Sequence, residues 1–160
     1  MATRNIFLTG TASWAKVFEE NRDMDGFEGA FREHEGACTI NVTLDAENYG
    51  TLQSAKSMLK GKVVEDGVNV KFKRKWKDRF EWASGAPKVT KSDGTPWDYS
   101  TDGIIPNDSL VEVGLAVYDT SRSSIVGTRL ESVKVLKVAE MPDREPDLGS
   151  KVEDKEIPFV

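Results

Sequence analysis

The chain has 160 residues, 38% of them apolar and 31% charged, and a net charge of −5. That is enough apolar material for one core and a modest tail, and no apolar run approaches the roughly 20 residues of a membrane-spanning helix. A single cysteine, Cys38, and a single histidine, His34, exclude an intrachain disulfide and the usual Cys/His zinc sites.

The N-terminus shows no basic-then-apolar signal pattern, so the protein is expected in the cytoplasm where it is made. Residues 4–18, opening on Ile6-Phe7-Leu8, read as a long strand bent at Gly10. Residues 19–35 read as a loop anchored by Phe27 and Phe31. Over 36–45 the residues alternate, with Cys38, Ile40, Val42 and Leu44 on one face, which predicts a half-buried strand and makes Cys38 a core residue. Tyr49, Leu52, Ala55 and Leu59 recur at helical spacing over 46–60, with Asp45 or Asn48 as cap. A glycine-rich turn is expected over 61–67.

Residues 68–77 alternate again, Val68, Val70 and Phe72 against Lys71, Lys73, Lys75 and Lys77. Residues 78–108 read as a loop with a turn at Ser92-Asp93-Gly94. Trp97 and Tyr99 are expected to pin that loop. Leu110 to Tyr118 is a strand with Val111, Val113, Leu115 and Val117 inward. The last strand, 125–138, changes parity between Leu130 and Val133, which predicts a bulge near Glu131-Ser132. Five main antiparallel strands with one helix between the second and third favour a small closed barrel, mainly β.

Charge is unevenly placed. Residues 140–160 hold seven acids and three bases, while 67–91 hold eight bases, Arg79 among them, against Asp78 and Glu81. At a Debye length of about 8 Å such local patches outweigh the net sum. A body over 1–139 and a disordered acidic tail over 140–160 are therefore expected.

The stretch Val70–Trp82 reads VKFKRKWKDRFEW. Single-stranded nucleic acid needs cations for phosphates and flat rings for unpaired bases, and this stretch interleaves both. On a pleated strand they cannot all share a face. Lys71, Lys73, Lys75 and Lys77 should face outward beside Asn41 and Thr43. Arg74, on the apolar parity, should mark where the strand leaves the barrel. Beyond it Trp76, Phe80 and Trp82 are the stacking candidates. Further candidates are Trp14 and Lys16 past Gly10, Tyr118 on the outward parity of its strand, and Arg122 and Arg129 flanking the turn after it.

The tail closes on Glu153-Asp154-Lys155-Glu156-Ile157-Pro158-Phe159-Val160, acids before a small apolar tip. That tip resembles the partner-docking tip of single-stranded DNA-binding proteins of bacteria. The tail, the basic-aromatic strand and the strand order together resemble the single-stranded DNA-binding proteins of T7-like bacteriophages. The likeness runs through Ile6-Phe7 with Gly10-Thr11-Ala12, Gly36 to Leu44 followed by a helix, and Leu130-Glu131-Ser132-Val133 with Val135-Leu136. The chain departs from that family in ending on Val160 after Phe159.

The resemblance implies an oligonucleotide-binding (OB) fold and a replication and recombination protein without cofactor that coats single-stranded DNA. It also implies homodimers, and recruitment of a replicative DNA polymerase and a helicase or primase through Asp154, Glu156, Ile157, Pro158 and Phe159. No glycine-rich phosphate loop, HExxH or nucleophile elbow supports an enzyme. The alternatives are a barrel that binds protein or RNA, or a phage structural protein.

Overall fold

Alternation of apolar and polar residues builds most of the molecule, seen here in a computed structural model that describes residues 3–24, 35–78, 80–120 and 125–139. The elements are β1 (Thr3–Lys16), β2 (Ala37–Leu44), α1 (Ala46–Ser54), β3 (Lys62–Val64), β4 (Gly67–Lys75), β5 (Lys88–Lys91), α2 (Tyr99–Asp102), β6 (Leu110–Asp119) and β7 (Val126–Lys137). The strands form one seven-stranded sheet in the order β3-β4-β2-β1-β6-β7-β5. Cys38, Ile40, Val42 and Leu44 are wholly buried, as are Val70, Phe72, Val111 and Val113. Burying each such side chain contributes roughly 1.5–3 kcal/mol.

β1 serves two partners. Thr3 to Thr11 pair with β6, and Gly10 to Lys16 pair with β2. Gly10 lies where both pairings overlap, and a Cβ there would collide with the Thr43 carbonyl oxygen. The strand can therefore pass close to β2 only with a glycine at this point.

The five strands read from alternation are present as β1, β2, β4, β6 and β7, antiparallel, with α1 between β2 and β4. Two more strands correct the expected five-stranded antiparallel barrel. β3 forms a hairpin with β4 where a plain turn was expected, and β5 lies parallel to β7. β3 is exposed throughout, so no alternation marks it. β5 is only four residues long, and its partner lies more than forty residues further along the chain. The sheet is not a closed ladder: β4 and β7 approach each other without pairing.

Asp45 caps α1, accepting from the Asn48 backbone N–H at 2.8 Å. The helix ends at Ser54, six residues before the expected limit. Lys56 there adopts φ +70°, and the N–H groups of Lys56 and Ser57 turn back to the carbonyls of Gln53 and Leu52. That is a Schellman stop made without glycine. Leu59 still packs on the core, but from the segment after the helix.

The β7 bulge falls where parity predicts it. Gly114 faces Ser132 and Leu115 faces Leu130, which leaves Glu131 as the extra residue. Trp97 and Tyr99 do pin their loop. The Trp97 Nε1–H donates to Gly103 O at 2.8 Å, and the Tyr99 ring lies 5.0 Å from that of Phe18.

Burial pushes the Cys38 thiol up to about 12, and the opposing pull of Arg22 and Arg74 is weaker. The thiol is therefore neutral at physiological pH and enclosed. A thiol reagent at pH 8 should label native protein far more slowly than urea-unfolded protein; equal rates would refute the enclosed placement. Since the folded value lies above the unfolded one, any stability from this group is present at neutral pH and lost as pH rises through the interval from 9.0 to about 12.

Phe27, Phe31, His34, Arg79, Arg122, Asp154, Glu156, Ile157, Pro158 and Phe159 lie outside the described residues. Among those described, no helix is long and apolar enough to cross a membrane.

Candidate nucleic-acid interface

Register carries the lysines to one face. Across β2 and β4, Asn41 faces Lys71, Thr39 faces Lys73 and Ala37 faces Lys75. Partners opposite one another in an antiparallel pair share a face. Lys71, Lys73 and Lys75 are exposed, while Phe72 and Arg74 between them are buried. On the other side of β2, Lys16 of β1 is in register with Thr39. Lys16, Thr39 and Lys73 therefore form one row across three strands.

Asp23 modifies that face. A short bridge to Ala37 brings it beside β2, where it is 7% exposed. Its carboxylate accepts from the Lys71 ammonium at 3.2 Å and from the Thr39 hydroxyl at 3.4 Å. Lys71 is thus partly neutralised. Lys73, Lys75 and Lys77 have no ion-pair partner among the described residues.

β4 ends at Lys75, one residue past Arg74, so the strand does leave the sheet there. The Arg74 guanidinium turns inward, 7% exposed, into the seam between β4 and β7. Nε donates to Gly85 O at 3.2 Å, and one terminal nitrogen donates to Trp82 O at 2.9 Å and Ser84 O at 3.0 Å. The other terminal nitrogen reaches Leu130 O at 3.4 Å and Glu131 Oε1 at 3.3 Å. A guanidinium has five N–H donors, and this one finds an acceptor for each. One side chain on the lysine strand thereby fastens both the segment carrying Trp82 and the bulge of β7.

The bulge presents Glu131 to a second arginine, Arg129, whose Nε donates to Oε2. Two guanidinium groups share one carboxylate, so the trio keeps one net positive charge. The Arg129 guanidinium lies 4.7 Å from the Trp82 ring and 5.1 Å from the Tyr118 ring. Phe80 stacks on Trp82, centroids 5.3 Å apart and planes 16° apart. Phe80 remains 48% exposed and Trp82 64% exposed. A cation held among accessible rings, beside exposed lysines, can meet phosphates and stack on bases.

The other candidates lie apart from this stack. Trp76 is half-buried, with the Arg22 guanidinium 4.2 Å from its ring. Arg22 is held by the carbonyls of Glu19 and Glu35. Trp14 is 66% exposed at φ +50°, and its backbone N–H donates to Asn107 Oδ1. It borders a groove of about 710 Å³ lined also by Lys16, Ile104, Ile105 and Pro106. That groove meets the lysine face at Lys16.

Sequence reasoning missed Arg22, Asp23 and Glu131 as parts of the site. For Glu131 the signal was the parity slip, since a bulged residue is aimed away from the regular alternation. Arg22 and Asp23 precede the β2 strand in an irregular segment and carried no signal.

No protein-family model and no curated protein sequence matches the chain. Solved structures do. The single-stranded DNA-binding protein of bacteriophage Enc34, truncated at its C-terminus, superposes with a TM-score of 0.58 at 11% identity, covering 85% of this chain and 87% of that one. The same phage protein in complex with single-stranded DNA gives 0.57 at 11% identity, covering 85% and 88%. The gp2.5 single-stranded DNA-binding protein encoded by bacteriophage T7 gives 0.54 at 16% identity, covering 92% and 99%. The chain has the fold of these phage DNA-binding proteins. The fold is broadly OB-like: β1, β2, β4, β6 and β7 form the body of an open sheet, and β3 and β5 extend its edges. On it, the lysine row and the Trp82–Arg129–Tyr118 stack come from β4, β6, β7 and the segment between β4 and β5.

Proposed function

We propose that the chain is a non-catalytic single-stranded DNA-binding protein. The observation that carries this reading is the exposed Lys73 and Lys75 on the strand whose Arg74 fastens Trp82 beside Arg129 and Tyr118. It is supported by the fold shared with a phage protein whose structure is solved in complex with single-stranded DNA. Lysines meet phosphates, and rings stack on bases of any identity, so binding is largely sequence-independent and sensitive to salt. The body over 1–139 does the gripping, with Lys16 and Trp14 at its margin and Arg79 and Arg122 adding charge.

The tail over 140–160 competes as a second anion for the same cations. DNA displaces it and frees Ile157, Pro158 and Phe159, flanked by Asp154 and Glu156, for a polymerase and a helicase or primase. The setting is phage replication and recombination in the cytoplasm of a bacterial host, with the chain acting as a homodimer.

The test is a tryptophan-fluorescence titration with oligo-dT at two salt concentrations, against duplex DNA and RNA of equal length. Quenching, weaker binding at the higher salt and a preference for the single DNA strand are expected. Absence of binding, or equal binding to duplex, would refute the reading. In the same assay, neutralising the tail by E153Q, D154N and E156Q should tighten binding; unchanged affinity would remove the competition model.

A further inference from the structure

Ile6-Phe7-Leu8 places three apolar residues in succession on β1, and a pleated strand buries only alternate ones. Leu8 is wholly buried and Ile6 packs on the core. Phe7 faces the other way and stays 62% exposed. Its place on the sheet is made for a ring. Directly opposite on β6 is Gly114, itself opposite Ser132 of β7. A Cβ at 114 would stand 3.1 Å from Phe7 Cε1 and collide with Ser132 Oγ. The ring therefore lies against bare β6 backbone.

The face continues toward the stack already described. The next row holds Asn5, Ala116 and Arg129, and the row after it Thr3, Tyr118 and Gly127. Tyr118 lies over Gly127 just as Phe7 lies over Gly114. With only glycine and alanine between them, nothing rises from β6 to separate the two rings. Phe7 is one cross-strand row from Arg129, whose guanidinium bridges Tyr118 and Trp82.

We propose that Phe7 is a further base-stacking residue, which carries the nucleic-acid path from the Trp82–Arg129–Tyr118 stack across β6 onto β1. The inference rests on the single-stranded DNA reading above. The occupant follows from continuity with that stack on one face and from the surroundings. Asn5, Thr9 and Ser132 border the ring with polar groups suited to base edges and sugar, and in the row further on Lys134 stands opposite Glu112.

The test uses the full chain with Phe7→Ala and Phe7→Trp, titrated with oligo-dT of increasing length. Loss of one stacking contact should weaken binding of F7A to long oligonucleotides by about tenfold. The shortest oligonucleotide that quenches the wild type should bind F7A unchanged, and F7W should restore the long-oligonucleotide affinity. The dependence of log K on log salt should keep its slope, because no phosphate contact is removed. Equal affinity of F7A and wild type at every length overturns the proposal while leaving the DNA reading intact. Failure of the wild type to bind any oligo-dT overturns both. A change from dimer to monomer in F7A by light scattering also overturns it and assigns the ring to a second copy of the chain.

Discussion

Replacing Lys73, Lys75 and Lys77 together by alanine should lower the slope of log K against log salt by about 2. Each lysine that neutralises one phosphate of a single strand contributes about 0.7 to that slope. The loss of affinity should then be about 100-fold larger at 0.1 M salt than at 1 M, since three contributions of about 0.7 sum to roughly two decades. Folding stability should change little, by about 0.5 kcal/mol or less, because these side chains are exposed and lack ion-pair partners among the described residues. Lys71 is left in place because removing it would take the ammonium from the buried Asp23 carboxylate and mix a stability loss into the binding result. Oligo-dT titrations across salt concentrations decide the matter. An unchanged slope would return the lysine row to an ordinary solvated strand face.

Arg74→Ala should be the most damaging single substitution in the region. It removes every partner that the guanidinium supplies at once: the carbonyls of Trp82, Ser84, Gly85 and Leu130 and the carboxylate of Glu131. Truncating one side of a buried charged pair costs about 3–5 kcal/mol. Glu131 keeps Arg129 and is a third exposed, so most of the loss here comes from the carbonyls left without donors. A melting temperature lower by about 10 °C is expected for a domain of this size. Arg74→Lys should not rescue it, because an ammonium has three donors on a single nitrogen and cannot span this fork of acceptors. Binding of oligo-dT should fall as well, even below the melting transition, since Trp82 loses its anchor. A stability change under 1 kcal/mol by urea denaturation would refute the role of Arg74 as the clamp of the β4–β7 seam.

Much of the scaffold was legible because burial imposes period two. Cys38 to Leu44, Val68 to Phe72 and Val111 to Val117 each announce an inward face, and each is buried or packed on the core in the structure. The Asp45 cap and the Glu131 bulge were legible for the same local reason: a cap needs an oxygen at one position, and a bulge breaks parity at one position. The early end of α1 was not, since Lys56 in the left-handed region is a choice that a lysine rarely makes. β3 and β5 escaped because a short exposed strand and a short parallel strand carry no pattern of their own; their partners define them.

The interface divides along the same line. Sequence alone determined that Lys71, Lys73 and Lys75 share an outward face opposite Phe72, because strand geometry places alternate side chains together whatever the rest of the chain does. It also set Arg74 on the wrong side of that alternation, without saying why. Only the tertiary structure decided that Arg74 closes a seam, that Asp23 quenches one lysine, and that Trp82, Arg129 and Tyr118 meet. The groups that Arg74 joins lie up to 57 residues from it along the chain and meet through the β4–β7 approach. Their contact depends on how the two ends of the sheet come round to each other, and no local periodicity encodes that distance.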